Sequence, residues 1–320
     1  MVFRAGAIAD AKRTLAENGV ESFELLSTPR ALEGAGELFG AATSVHEVAS
    51  GGVPDAAAAL LDAVGEDDLV ALGGGRVIDS AKAIAAVSGA RVTAVPTTMS
   101  GAEMTGFHRL PAGAEQRAKG LVRPFLVVAD ADAMTSQPEG DLRASSMNAL
   151  AHGADSLYTP LANPVSRMAA LRGAELIATA LDQDPDERDR AALAAGSILC
   201  GYAIDSALFA IHHVICQTLV RVCGSPHADT NAAILPRAME AMRDRAPQEI
   251  ADLAAAIRTT AEAIADRITE LGIPEGLGAA GADRAKLDQA LDEIEARPEL
   301  KFTPQPPDRD QLRRIIEAAW

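Results

Sequence analysis

Two hydrophobic rhythms divide this chain. In its first third, short apolar runs alternate with stretches of helical spacing. Phe23–Leu26, Ser44–Val48, Leu69–Leu72, Val92–Val95 and Phe125–Val128 have the length and β-branched content of strands, and residues 6–18, 54–64 and 78–88 have the spacing of helices. Such alternation predicts a parallel sheet wrapped by helices. From about residue 138 onward the pattern is helical only, with long Ala/Leu-rich segments at 143–157, 164–182, 187–222, 228–243, 247–272 and 308–319. Asp184-Pro185-Asp186 and Ile273-Pro274-Glu275-Gly276 break these helices. The expected architecture is an α/β, Rossmann-like dinucleotide-binding domain over 1–137 and an all-helical substrate and catalytic domain over 138–320.

Composition sharpens that picture. Apolar residues make up 48% of the 320 positions but aromatics only 3%, so the cores must be built from Ala, Leu, Val and Ile. A net charge of −16 argues against nucleic acid or an anionic membrane as a partner, because phosphates would be repelled. A small anionic substrate stays open where local arginines offset that field. Cys200, Cys216 and Cys223 are odd in number, sit among apolar residues and lack metal-ligand spacing, which predicts buried free thiols in a reducing compartment. The first residues lack a basic-then-apolar signal pattern, and no apolar run approaches membrane-spanning length. A soluble, cytoplasmic protein is expected.

The candidate chemistry lies in a few places. The predicted strand Leu69–Leu72 runs straight into Gly73-Gly74-Gly75, with Arg76, Asp79 and Lys82 on the helix that follows. Strand, glycines and helix in that order let backbone N–H groups approach a phosphate at a helix N-terminus. Neither the Walker lysine nor the Gly-x-Gly-x-x-Gly spacing is present, so three glycines alone could equally be a tight turn. A second polar loop, containing Thr97, Thr98 and Ser100, follows the next strand. Neighbouring parallel strands bring such loops together where open α/β sheets bind ligands. In the helical half, Asn148 and His152 are four residues apart and share a helix face, while His213 and His227 come from separate segments. Each histidine alone could be a hydrogen-bonded core residue.

These blocks together resemble the iron-containing alcohol dehydrogenase superfamily, and within it the maleylacetate reductase branch. The resemblance rests on Gly73–Gly75 with Asp79 and Lys82, Pro96-Thr97-Thr98 with Glu103-Met104-Thr105, Met147–His152 with Tyr158 and Ala162-Asn163-Pro164, His212-His213, Pro226–Thr230 and Ala318-Ala319-Trp320. It implies a dehydroquinate synthase-like fold and an NAD(P)H-dependent reductase of a small anionic carbonyl or enone, with histidine as proton donor. It also implies a homodimer. Gly73, Gly74, Gly75, Arg76, Asp79, Thr97, Thr98 and Ser100 are then the cofactor-binding candidates. His152, His213, His227 and Asn148 are the catalytic ones. The superfamily's metal is held by one aspartate and three histidines, and the aspartate position falls here on Asn148, as the branch tends to have it; a metal-free site is expected. Arg76 stands where the family usually has serine, and Gln217 replaces a further histidine. The position near Thr28, where the family often has an aspartate that rejects a 2′-phosphate, is uncharged, which leaves both NADH and NADPH open. A non-redox lyase or cyclase on the same scaffold is the alternative reading.

Overall fold

The computed structural model describes residues 1–320, which divide into two compact units, Met1–Gln137 and Pro138–Trp320. The first unit is a six-stranded, all-parallel sheet in the order β1-β6-β5-β4-β2-β3. Its strands are β1 (Val2–Phe3), β2 (Phe23–Ser27), β3 (Ser44–Glu47), β4 (Asp68–Gly73), β5 (Val92–Pro96) and β6 (Leu126–Ala129). The helices are α1 (Ala11–Glu17), α2 (Pro29–Leu32), α3 (Glu37–Ala41), α4 (Val53–Leu60), α5 (Gly75–Ser88) and α6 (Ala131–Met134). Strands β2, β5 and β6 are buried along their whole length, as a sheet covered on both faces requires. Successive side chains go to opposite cores: Leu26, Leu69, Ala71 and Ala94 pack with α4 and α5, whereas Leu25, Val70, Leu72 and Val95 pack with α1 and α3. Edge strand β3 instead alternates half-buried with exposed positions.

Five of the six strands fall where the hydrophobic pattern puts them. The sixth, β1, has only two residues, and its place at the sheet edge depends on pairing with β6 rather than on any local pattern. Asp130, at the end of β6, accepts from the backbone N–H groups of Gly6 (3.1 Å) and Ile8 (3.0 Å), tying the turn after β1 to the sheet.

The second unit is entirely helical: α7 (Glu139–Ser156), α8 (Pro164–Leu181), α9 (Arg190–Ala207), α10 (Ile211–Cys223), α11 (His227–Met242), α12 (Pro247–Ala256), α13 (Ile264–Gly272), α14 (Leu287–Ala296) and α15 (Arg309–Glu317). Asn163 opens α8 with a reciprocal capping box, its side chain accepting from Ser166 N while the Ser166 hydroxyl accepts from Asn163 N. Small residues bring α7, α8 and α9 close together. A Cβ on Gly173 would stand 2.6 Å from Cys200 Sγ and 2.8 Å from the Gly196 carbonyl, and one on Gly153 would stand 2.9 Å from that sulfur. No single helix is long and apolar enough to cross a membrane.

Two expected long helices are each broken. Residues 187–222 form α9 and α10, with Leu208 at φ 62° and ψ −170°, a conformation that side chains rarely adopt. No glycine or proline marks this break; an acceptor on α7, described below, imposes it. Residues 247–272 form α12 and α13, parted by a turn at Arg258, whose φ is also 62°. Helix α14 went unassigned in the sequence, though Leu287, Ala290, Leu291 and Ile294 form a buried stripe at helical spacing.

Candidate active site

In the first unit a cavity of about 930 Å³ lies along the C-terminal ends of the strands. Gly74, Gly75, Arg76, Thr97 and Thr98 line it; of the remaining cofactor candidates, Gly73, Asp79 and Ser100 do not. The glycines are required by close approach. A Cβ on Gly73 would sit 2.6 Å from Val77 Cγ2, one on Gly74 3.0 Å from Thr98 Cγ2, and one on Gly75 2.9 Å from Ser100 Cβ. The β4 loop and the β5 loop are therefore in contact at distances only glycine permits. Side-chain-free backbone at the start of a fourteen-residue helix is a cradle that suits a dinucleotide's phosphates.

Beside the cradle stands a buried charge cluster. Lys82 is fully buried, with its Nζ 2.8 Å from Asp79 Oδ1 and donating to the Ala102 carbonyl at 3.0 Å. Asp79 therefore helps a buried lysine fasten the β5 loop onto α5. Glu103 is also buried, and neither carboxylate oxygen has a hydrogen-bond partner. Burial pushes its carboxyl up to about 7, with Lys82 opposing the shift and Asp79 adding to it.

In the second unit Asn148, His152 and Asp155 lie along one face of α7, all buried. Asp155 was not singled out from the sequence, although it follows Asn148 by seven and His152 by three, the spacing of a shared face. Its carboxylate is the hub. Oδ2 accepts from Ala210 N (2.8 Å), His213 N (3.2 Å) and His213 Nδ1 (2.9 Å), while Oδ1 accepts from His212 N (3.4 Å) and the Tyr158 hydroxyl. Burial alone would raise the Asp155 pKa; the bonds and fields of His213, His212 and Tyr158 win and bring it to about 2. The same carboxylate thus caps the free N–H groups that open α10 and orients the His213 ring. An ionised carboxylate only accepts, so Nδ1 carries the ring proton and Nε2 is the reactive nitrogen. His213 Nε2 is buried and has no partner.

His152 stacks on His213 with ring centroids 5.1 Å apart and planes 20° apart. Burial, then the fields of His213, His227 and His212, hold its pKa well below the ordinary value, so it is neutral. His227 opens α11 and is exposed, yet enough protein surrounds it that desolvation, with His213 adding to it, lowers its pKa to about 4. His212 is structural: its ring hydrogen-bonds Asn231 Oδ1 at 2.9 Å, and Asn231 Nδ2 donates to the His227 carbonyl at 2.7 Å. Phe209 tilts against His213 at 5.7 Å, and the Arg297 guanidinium lies over Phe209 while donating to Gln217 Oε1 at 2.9 Å. His46 bonds to Glu24 (2.5 Å) and His108 accepts from Val122 N (2.9 Å), so both serve the fold of the first unit. Nowhere do three His, Cys, Asp or Glu side chains converge as metal ligands would.

Comparison with known proteins places the chain in a family. Residues 1–131 match the model of the iron-containing alcohol dehydrogenases, and residues 143–320 match that of the C-terminal region of the Fe-containing alcohol dehydrogenase family. The chain is 32% identical to a maleylacetate reductase of Burkholderia cepacia, over 100% of its own length and 95% of the relative's. It is 33% identical to maleylacetate reductase 1 of Rhodococcus opacus, over 84% and 77%. The crystal structure of maleylacetate reductase from Agrobacterium tumefaciens superposes with a TM-score of 0.85 at 29% identity, over 100% of this chain and 95% of that one. With its glycine cradle on a parallel sheet and its histidine cluster on a helical unit, the chain belongs to the iron-containing alcohol dehydrogenase family, in the maleylacetate reductase branch, and is an NAD(P)-dependent oxidoreductase.

Proposed function

We propose that this enzyme reduces a small anionic carbonyl or enone of the maleylacetate type, with His213 as the proton donor and without a resident metal. The observation that carries the reading is the Asp155–His213 pair, with its buried, unpartnered Nε2. When bound, the reduced nicotinamide supplies a hydride to the substrate carbon. On an enone, the displaced electron pair moves to the conjugated carbonyl oxygen. His213 in its protonated form stabilises that negative charge through Nε2–H, and the proton then passes to the product. Asp155, ionised and bonded to Nδ1, balances the charge on the ring and keeps it from rotating. Neutral His152 offers a hydrogen bond beside it without competing for the proton. Asn148, on the same face of α7, orients the substrate through its amide.

The residues present do not fit the family's metal. The amide at Asn148 supplies no negative charge, and Asp155, the carboxylate beside the cluster, is committed to five donors. No three His, Cys, Asp or Glu side chains converge as metal ligands would, and His152 and His213 are stacked on each other. The reading is tested by following oxidation of NADH and NADPH with maleylacetate as substrate. His213→Gln should lower kcat by about 100-fold or more while leaving KM within a few-fold. No turnover with either dinucleotide, or a His213→Gln enzyme as fast as the parent, would overturn it.

A further inference from the structure

The cavity in the first unit carries a charge pattern that reading does not use. The chain is strongly acidic, yet two arginines without ion-pair partners, Arg30 and Arg76, line this cavity. Arg76 is the second residue of α5, next to the glycine cradle. Arg30 belongs to α2, immediately after β2, and its one hydrogen bond is a 3.4 Å contact to the Ser136 carbonyl. Strand β2 is the direct neighbour of β4, with Ser27 paired to Leu72, and Ser27 Oγ donates to the Leu72 carbonyl at 2.7 Å. The end of β2 therefore lies beside the strand that carries the phosphate loop. In dinucleotide-binding sheets the adenosine ribose rests over that neighbouring strand end, where a carboxylate takes the 2′-hydroxyl of NAD or an arginine takes the 2′-phosphate of NADP. Here the first residue past β2 is Thr28, uncharged and accepting from Ala31 N to cap α2.

We propose that Arg30 is the 2′-phosphate anchor and that the enzyme selects NADPH over NADH, an inference that rests on the reductase reading above. Arg76 is placed to offset the pyrophosphate, which both dinucleotides share, so it adds affinity without selecting. A 2′-phosphate carries nearly two negative charges near neutral pH, and a guanidinium binds it through paired, charge-assisted hydrogen bonds. The acidic groups on the same rim are Glu33, Asp130 and Asp132. Asp130 is occupied by backbone donors, and Asp132 is the second residue of α6, after β6, two strands beyond β4. Glu33, at the end of α2, is the rival: a carboxylate holding the ribose hydroxyls would select NADH.

Equilibrium titration of the full-length protein with NADPH and with NADH decides between them, with no turnover needed. The parent should bind NADPH about tenfold or more tightly than NADH, a gap of about 1.4 kcal/mol per factor of ten. Arg30→Gln should bring that ratio close to one, Thr28→Asp should push it below one, and added salt should narrow it in the parent. A parent that binds NADH as tightly as NADPH, or an Arg30→Gln protein that keeps the parent's ratio, would overturn the assignment and leave the reductase reading intact. Binding of neither dinucleotide by a protein with native circular dichroism would overturn the reductase reading itself.

Discussion

Replacing Asp155 by asparagine is the most direct test of how His213, the proposed proton donor, is held. Five donors converge on the two oxygens of this carboxylate: three backbone N–H groups at the start of α10, the His213 ring and the Tyr158 hydroxyl. Asparagine keeps one acceptor oxygen, enough for about two of them, and turns an NH₂ group toward the rest. Each buried donor left without an acceptor costs about 1–3 kcal/mol before relaxation. The pKa shift gives an independent measure. A carboxyl at about 2 in the folded protein against an ordinary 3.8 corresponds to about 2.5 kcal/mol. We expect Asp155→Asn to lower stability by about 3 kcal/mol near pH 7. The sign follows from the depressed pKa: the stabilisation is full above 3.8, and it is lost as pH falls through about 2. The gap between parent and variant should therefore fall to about half near pH 3. Urea denaturation of both proteins at the two pH values measures it. A variant within about 1 kcal/mol of the parent at neutral pH, or a gap that widens on acidification, would refute the argument.

Three further outcomes follow from the same geometry. The folded-state pKa of Glu103 is raised from 4.5 to about 7, so the folded protein holds an extra proton between those values and loses stability as pH rises through them; from about pH 5 to pH 8 the parent should lose about 2.5 kcal/mol more than Glu103→Gln, as read by urea midpoints, and parallel curves would refute this. Gly73→Ala should cost about 1–3 kcal/mol because the new methyl meets Val77 Cγ2 at 2.6 Å and Cβ at 2.8 Å, and Val77→Ala, which removes only the first contact, should recover part of that loss; additive costs in the double variant would place the strain elsewhere. Prolonged chelation should leave turnover unchanged, and activity that is lost on chelation and restored by iron or zinc would show that a metal is part of the site.

The parallel sheet and the helical second half were legible because both depend on local pattern. Strands buried on both faces read as unbroken apolar runs, and Gly73–Gly75 mark the end of β4 because no Cβ fits there. The break between α9 and α10 was not legible. Residues 205–211 have no glycine or proline, and the turn at Leu208 is held by a carboxylate more than fifty positions away in sequence. Asp155 has a signal, its spacing from His152, but an aspartate on a helix face is as readily a solvated surface charge. The family's aspartate position holds an amide in Asn148, while a carboxylate two turns along the same helix grips His213 from Nδ1. Only the three-dimensional arrangement shows that carboxylate bonded to the His213 ring.

The glycine-lined seam between α7, α8 and α9 has a consequence for how the second unit opens. Cys200 is fully buried, its sulfur is confined by Gly153 and Gly173, and burial raises its thiol to about 12. No alkylating reagent can reach this sulfur until those helices part, because there is neither room for the reagent nor a thiolate to attack it. Cys216 is equally buried but belongs to a different contact, where α10 carries it to within 3.7 Å of the Thr230 carbonyl on α11. The rates at which the two cysteines become labelled thus time two separate events, the parting of the helix seam and the release of α11 from α10. If both rates match global unfolding, the helical unit opens all at once; if Cys216 leads, the segment bearing His227 loosens while the seam stays shut.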